Sequence, residues 1–294
     1  MAAVDPPNGP ADLRGSPTAR RIMLGARLRR LREAAEISRA EAGFAIRSSE
    51  SKISRLELGR VSFKTRDVAD LLTMYGVADP KKREAFLEMV TRSNEPGWWH
   101  RYTDLVADWF QDYLGLEESA SRIQEWEQQF IPGLLQTEDY ARAIAGHGWS
   151  PLTSERVQSL VAVRMRRQEL LSRPKPPKLW AVIDESVLHR PIGGRQVLLA
   201  QIEHLLNVTK RPHITLQVLP YQLSGYAAEG SFTTLRFSEP ELPDVVYIEH
   251  LSGALYLDKR SDTELYGRVF DRLTVDAHTP DHTRQFLMKR RAEI

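Results

Sequence analysis

The stretch "SRAEAGFAIRSSESKISRLELGR", residues 38–60, restricts the possible folds more than any other part of the chain. It holds two short helical patterns with almost nothing between them. Ser38 with Glu41 three residues later is a capping-box signature for one helix. After the interruption at Ile46-Arg47-Ser48, Ser49 is placed to cap a second helix through Leu56. Gly59 then stands where a left-handed residue ends a helix. Ala42 and Gly43 are small residues where the two helices would cross, and Ile46, Ile53 and Leu56 supply an apolar wedge.

The flanking sequence extends the same pattern. Residues 20–35 place Ile22, Leu24, Leu28 and Leu31 near helical spacing, with Arg on the other faces. Thr65–Tyr75 predicts a fourth helix stopped at Gly76. Asp79-Pro80 opens a fifth that runs to about Arg92, with Pro at the first helical position. The expectation is an all-α five-helix domain over residues 20–92. Residues 1–19 are rich in Pro, Gly and Ala and read as a disordered arm; they contain no apolar core of a signal peptide.

Charge is distributed unevenly. The net charge is only +2, yet residues 20–66 carry thirteen Lys/Arg against five Asp/Glu, and residues 96–140 carry two Arg against nine acids. A basic helical domain suits a polyanion, because each neutralised phosphate releases counterions; a solvated basic face is the plain alternative for the first helix. A helix that reads DNA must enter a major groove roughly 12 Å wide, braced at a fixed angle by a second helix. The segment 49–56 fits that requirement, with Ser49 as cap and Glu50, Ser51, Lys52 and Arg55 on the outward side.

The pieces "LRRLREAAEISRAEAG", "SKISRLELGR" and "DVADLLTMYGV" resemble the Cro and lambda-repressor (XRE) family of helix-turn-helix domains over residues 20–77, without insertions. The resemblance implies that the start of the third helix faces bases, with Ser49, Glu50, Ser51, Lys52 and Arg55 as the DNA-binding residues there. Arg39, Arg60, Lys64 and Arg66 would suit phosphates. It also implies a structural ion pair between Arg32 and Glu57. Glu50 has two readings, a base reader or a carboxylate that complements the helix dipole. Many members have Gly where Arg47 stands, so either Arg47 takes a positive φ or the turn differs; its side chain would then reach a phosphate. One such domain has a small footprint, so a homodimer on a two-fold site in double-stranded DNA is expected.

The C-terminal two thirds, residues 98–294, read as a helical stretch (98–172), a Pro-rich connector at 173–178, and an α/β region (179–294). In the first, "LGLEESASRIQEWEQQFIPGLLQTEDYARAIA" reads as a helix, a Pro-Gly break and a helix capped by Thr137. Beyond it "LWAVID", "ITLQVLP", "FTTLRF" and "VVYIEH" are short β-rich runs, with "GALYLD" as a further candidate. The fold class is therefore α+β: an all-α helix-turn-helix domain, a helical connecting region, and a mixed α/β domain with a small sheet.

Chemistry-bearing motifs are few. The chain has no Cys, which excludes disulfides, thiolate metal sites and a Cys nucleophile. There is no zinc-protease, Walker or nucleophile-elbow motif, and His189, His204, His213 and His250 lack metal-ligand spacing. No catalytic residue, metal or cofactor is expected, and Asp184-Glu185 and Glu249-His250 at strand ends read as capping or pairing residues. Trp98, Trp99, Trp109 and Trp126 read as core or interface. No apolar run reaches about 20 residues, so no membrane span is expected, and a cytoplasmic, nucleoid-associated protein fits.

"WFQDYLGLEESASRIQEWEQQFIPGLLQTEDYARAI", "VIDESVLHRPIGG" and "ITLQVLP" through "VVYIEH" resemble the actinobacterial WhiJ-like, antitoxin-like regulators. That resemblance implies a sequence-specific transcriptional regulator whose C-terminal domain binds a small BldB-like partner protein or mediates dimerisation. A small-molecule-sensing repressor is the alternative, and an enzyme with an appended DNA-binding domain a third class. An enzyme would show convergent polar groups with perturbed pKa values in one deep pocket, and an interaction module an exposed apolar patch.

Overall fold

The computed structural model describes residues 15–146, 152–222 and 230–294. The chain forms two compact units: one runs to His100 and includes Glu239–Leu242, and the other comprises Arg101–Ser238 and Pro243–Ile294. The fold is α+β, with five helices in the first unit and a six-stranded mixed sheet with helices in the second.

The first unit contains α1 (Pro17–Ala34), α2 (Arg39–Ala45), α3 (Glu50–Glu57), α4 (Thr65–Met74) and α5 (Pro80–Ser93). Residues 16–19, expected to belong to a disordered arm, instead cap and open α1. The Ser16 hydroxyl accepts from the Ala19 amide at 3.2 Å and Pro17 opens α1; residues 1–14 lie outside the described residues. The buried side of α1 is Ala19, Met23, Leu24 and Leu28, while Ile22 and Leu31 are only half-buried. Ser38 and Glu41 cap α2 reciprocally, and Ser49 caps α3 by accepting from the Lys52 amide. Ala42 is fully buried, and a Cβ on Gly43 would stand 2.9 Å from the Ser48 carbonyl oxygen, so small residues are required at this crossing. Gly59 has φ +66°, and a Cβ there would lie 2.6 Å from the Ile22 backbone. The left-handed end of α3 and its approach to α1 thus both demand glycine.

In the second unit α6 (Asp108–Ser119) leads into β1 (Arg122–Glu127). The helix expected across residues 115–130 therefore ends at Ser119, and "RIQEWE" is a strand. Its many polar residues hide the strand signal, yet four of its six positions are buried. Beyond it come α7 (Glu138–Gly146), α8 (Ser154–Gln168), β2 (Lys178–Asp184), α9 (Arg195–Val208), β3 (Ile214–Leu219), β4 (Phe232–Arg236), β5 (Val245–His250), β6 (Gly253–Leu257), α10 (Arg260–Asp276) and α11 (Pro280–Glu293). Helix α10 has no counterpart in the elements expected from the sequence.

The sheet order is β3-β2-β1-β4-β5-β6. Strands β1, β2 and β3 are parallel and β4, β5 and β6 antiparallel to their neighbours, so β1 sits at the centre. Side chains alternate between the two faces. Trp126, Val182, Phe232 and Val246 face a core completed by Phe270 and Leu273 of α10. Ile123, Glu125 and Glu127 face the other way. On that side Tyr113 of α6 meets Tyr247 at 4.2 Å between ring centroids. The β3 edge is closed: the Val218 amide donates to the Thr283 hydroxyl and its carbonyl accepts from the His278 amide.

Candidate functional site

Two arginines meet on one buried carboxylate in the first unit. The Arg32 Nε donates to Glu57 Oε1 at 2.5 Å, and its Nη2 to Oε2 at 3.2 Å. Both side chains are buried, and the hydrogen bond to Glu57 raises the Arg32 pKa above its ordinary value. Arg32 Nη1 also donates to the Ile37 carbonyl at 2.8 Å, which ties α1 to the residue preceding the α2 cap. Arg39, expected at a phosphate, donates to Glu57 Oε2 at 3.0 Å, so its Nε is committed to the same carboxylate while the side chain stays half-exposed.

Arg47 has φ +53° and is exposed, so the turn keeps its shape with a bulky residue at the glycine position. Ser49, Glu50, Ser51, Arg55, Arg60, Lys64 and Arg66 are all exposed. Lys52 is half-buried, and its ammonium lies 2.8 Å from Asp67 Oδ2 of α4. Asp67 did not stand out in the sequence, because a carboxylate in the first turn of α4 already has a local reason in the helix dipole. Phe44 of α2 is 86% exposed and was not anticipated either.

The second unit holds a polar layer between the sheet and the helices over it. The Arg167 guanidinium of α8 grips Glu117 of α6 through two bonds of 2.9 and 2.8 Å. It also lies over the Phe110 and Tyr113 rings, 5.1 and 5.5 Å from their centroids. Burial disfavours the Arg167 charge, but Glu117 more than offsets this and its pKa is raised. Glu125 of β1 is 7% exposed and makes no hydrogen bond or ion pair among the described residues. Burial, with Glu127 and Glu117 nearby, raises its pKa well above the usual carboxylate range. Burial also pushes Glu127 up to about 7, against the lowering effect of a hydrogen bond from Ser231 and with a further rise from Glu249. Arg164 donates to Gln136 Oε1 at 3.0 Å and has no carboxylate partner; burial and then Arg167 lower its pKa to about 10.

The other polar residues flagged in the sequence have local duties. Asp184 caps the short turn that follows β2, Glu185 accepts from the Tyr221 amide at 2.9 Å, and Glu249 accepts from the Tyr247 hydroxyl at 2.9 Å. His213 Nε2 lies 3.1 Å from the Leu171 carbonyl oxygen and His189 pairs with Glu185 at 3.3 Å. Trp98 and Trp99 pack edge to face in the first unit, whereas Trp109 and the fully buried Trp126 belong to the second. Among the described residues no group of His, Asp or Glu is arranged to hold a metal ion, and no helix is long and apolar enough to cross a membrane.

The protein-family comparison matches residues 110–289 to a domain of unknown function, DUF5753. The chain belongs to the DUF5753 family. That match takes in β1 through α11, and hence the whole polar layer of the DUF5753 domain. Residues 23–86 match a helix-turn-helix domain, a type that supports DNA as the partner and a regulatory role. No curated protein and no solved structure matches the chain.

Proposed function

We propose that this chain is a sequence-specific transcriptional regulator, not an enzyme, which binds double-stranded DNA as a homodimer through α3. The observation that carries the reading is the division of labour around α3. Glu57, Ile53 and Leu56 are buried against the domain, while Glu50, Ser51 and Arg55 are exposed on the other side of the same helix. Arg47, Arg60, Lys64 and Arg66 add exposed positive charge beside it. In this reading Arg55 and Ser51 contact base edges, Glu50 accepts from cytosine N4, and the flanking cations hold phosphates.

Genome-wide occupancy of the full chain, followed by competition binding on the recovered operator, tests it. Arg55→Ala is expected to cost about 1–3 kcal/mol and relax preference at one position. Arg60→Ala is expected to weaken all sequences alike and lower the salt slope by about 1. A wild-type protein that binds the recovered sequence no better than random DNA of equal length sinks the reading. Cytoplasmic, nucleoid-associated localisation follows from the DNA partner.

The free edge of the sheet supports the homodimer. Among the described residues strand β6 has no strand beyond it; it carries no charged residue and leaves Leu255 52% exposed, and Leu251 in the turn before it is 89% exposed. Exposed edges normally carry charge or cover, so an uncharged one fits antiparallel pairing with the β6 of a second copy. The WhiJ-like, antitoxin-like resemblance supports a further input from a small BldB-like protein. Pull-down by the full chain against the products of neighbouring genes tests that input. Glu125 favours a second reading in which the DUF5753 domain senses a small-molecule effector. It is a buried carboxyl that, among the described residues, makes no hydrogen bond or ion pair, and no base, nucleophile or other reacting group there is hydrogen-bonded to it.

A further inference from the structure

We propose that the polar layer of the DUF5753 domain, built on Glu125 and Glu127, binds a small organic cation carrying a protonated amine. This rests on the effector-sensing reading and names the class of effector. The argument starts from register. Glu125 lies between Ala181 of β2 and Thr233 of β4, Thr233 beside Tyr247, and Tyr247 beside Tyr256. Glu127 lies two residues along on the same face, with Ser231 as its partner. A buried carboxyl without a partner is costly, and the natural occupant of such a position is a group that brings donors and positive charge.

The charged groups near it are shared between α6, α8 and the sheet. Glu117 on α6, Glu125 and Glu127 on β1, and Glu249 on β5 face Arg164 and Arg167 on α8; the phenols are Tyr113 on α6, Tyr140 on α7, Tyr247 on β5 and Tyr256 on β6. Arg167 is used by Glu117 through both of its hydrogen bonds to that carboxylate. Among the described residues Arg164 has the Gln136 side chain as its hydrogen-bond partner, which leaves it donors for an oxygen on the same ligand. Neither cation forms a salt bridge with Glu125 or Glu127. An organic cation fits better than a metal ion, because no carboxylate group here has metal-holding geometry. The Tyr113, Tyr247 and Tyr256 rings, the first two tilted at 4.2 Å and the latter two edge to face at 5.2 Å, add aromatic groups to which an ammonium is drawn.

The test is thermal melting and calorimetric titration of the full chain with L-ornithine, L-arginine, agmatine and putrescine, beside Glu125→Gln and Glu127→Gln. Saturable one-to-one binding of at least one of these amines, weakened at least tenfold by each substitution, is expected. Both variants replace a carboxyl by a neutral group of the same shape, and circular dichroism with melting confirms that they fold. No saturable binding by any of the four, or equal binding by the wild type and both variants, overturns the site. Operator affinity of the ligand-free protein is measured in parallel. Its absence speaks against the DNA reading and leaves the amine result standing. Amine binding that leaves operator affinity unchanged supports the site and overturns its role as a sensor.

Discussion

At the residue scale, Lys52 and Glu57 show how one short helix separates structure from recognition. Lys52 sits among the residues that the helix-turn-helix resemblance directs to bases, yet its ammonium is 2.8 Å from Asp67. Asp67 thereby competes with phosphate for that charge. Asp67→Asn is expected to strengthen binding to random DNA several-fold and to steepen the salt slope by about 1, measured by fluorescence anisotropy from low to high salt. An unchanged slope would mean that Lys52 never reaches DNA. Glu57 has the opposite character, since it holds Arg32 and Arg39 together. Removing one member of a buried pair strands the other's charge, so Glu57→Gln is expected to lower stability by about 3 kcal/mol in denaturant unfolding. The Arg32–Glu57 contact is the one the helix-turn-helix resemblance implies, whereas Arg39 was expected at a phosphate and its bond to Glu57 was not read from the sequence. Nor was the pairing of Lys52 with α4, because it depends on how a third helix leans on α3. Arg47 shows the same limit. A left-handed residue was one of two open readings, and φ +53° is a property of the folded turn.

At the element scale, β1 is the instructive case. Its sequence, RIQEWE, holds two apolar residues among four polar or charged ones, and glutamates on a central strand go against the expectation that buried strands are apolar. Because Glu125 and Glu127 line a polar layer, the strand's burial could not be read from hydrophobicity; the E-x-E spacing was the one available signal. By contrast α2, α3 and α5 were legible from caps, since Ser38, Ser49 and Asp79 each accept a backbone hydrogen bond at the start of the helix. The raised carboxyls make a prediction about stability. A carboxyl whose folded pKa lies above its unfolded value binds more protons when folded, so its contribution is full below the unfolded pKa and is lost as pH rises through the folded one. For Glu127 the window runs from about 4.5 to about 7, and Glu125 extends the loss in the same direction. The melting temperature is expected to fall from pH 5 to pH 7.5 in the wild type. Glu127→Gln is expected to flatten that slope and to be more stable at pH 7.5 by on the order of 1–3 kcal/mol. A wild-type melting curve that is flat or rising over this range would remove the basis for a protonated Glu127.

At the scale of the whole molecule, the question is how a small helix-turn-helix footprint becomes a regulator. Two copies that bind adjacent half-sites convert the second contact into an intramolecular step, which multiplies affinity by about 10²–10⁴ without a new protein–DNA contact. The DUF5753 sheet offers the means at β6. Its β3 edge is blocked by α11, while β6 has no strand beyond it among the described residues, is uncharged and leaves Leu255 exposed. An antiparallel pairing of β6 with its own copy is two-fold by construction and would join two sheets of six strands into one. Leu255→Asp places two carboxylates close together across that pairing, while in the single chain the residue remains at the surface. The variant is expected to sediment as a monomer at concentrations where the wild type is a dimer, and to melt within about 0.5 kcal/mol of it. On a full operator its affinity is expected to fall by about 10²-fold or more, whereas on an isolated half-site it should match the wild type. A variant that stays dimeric moves the interface away from β6. A wild type that is monomeric on DNA with two intact half-sites removes the dimer altogether.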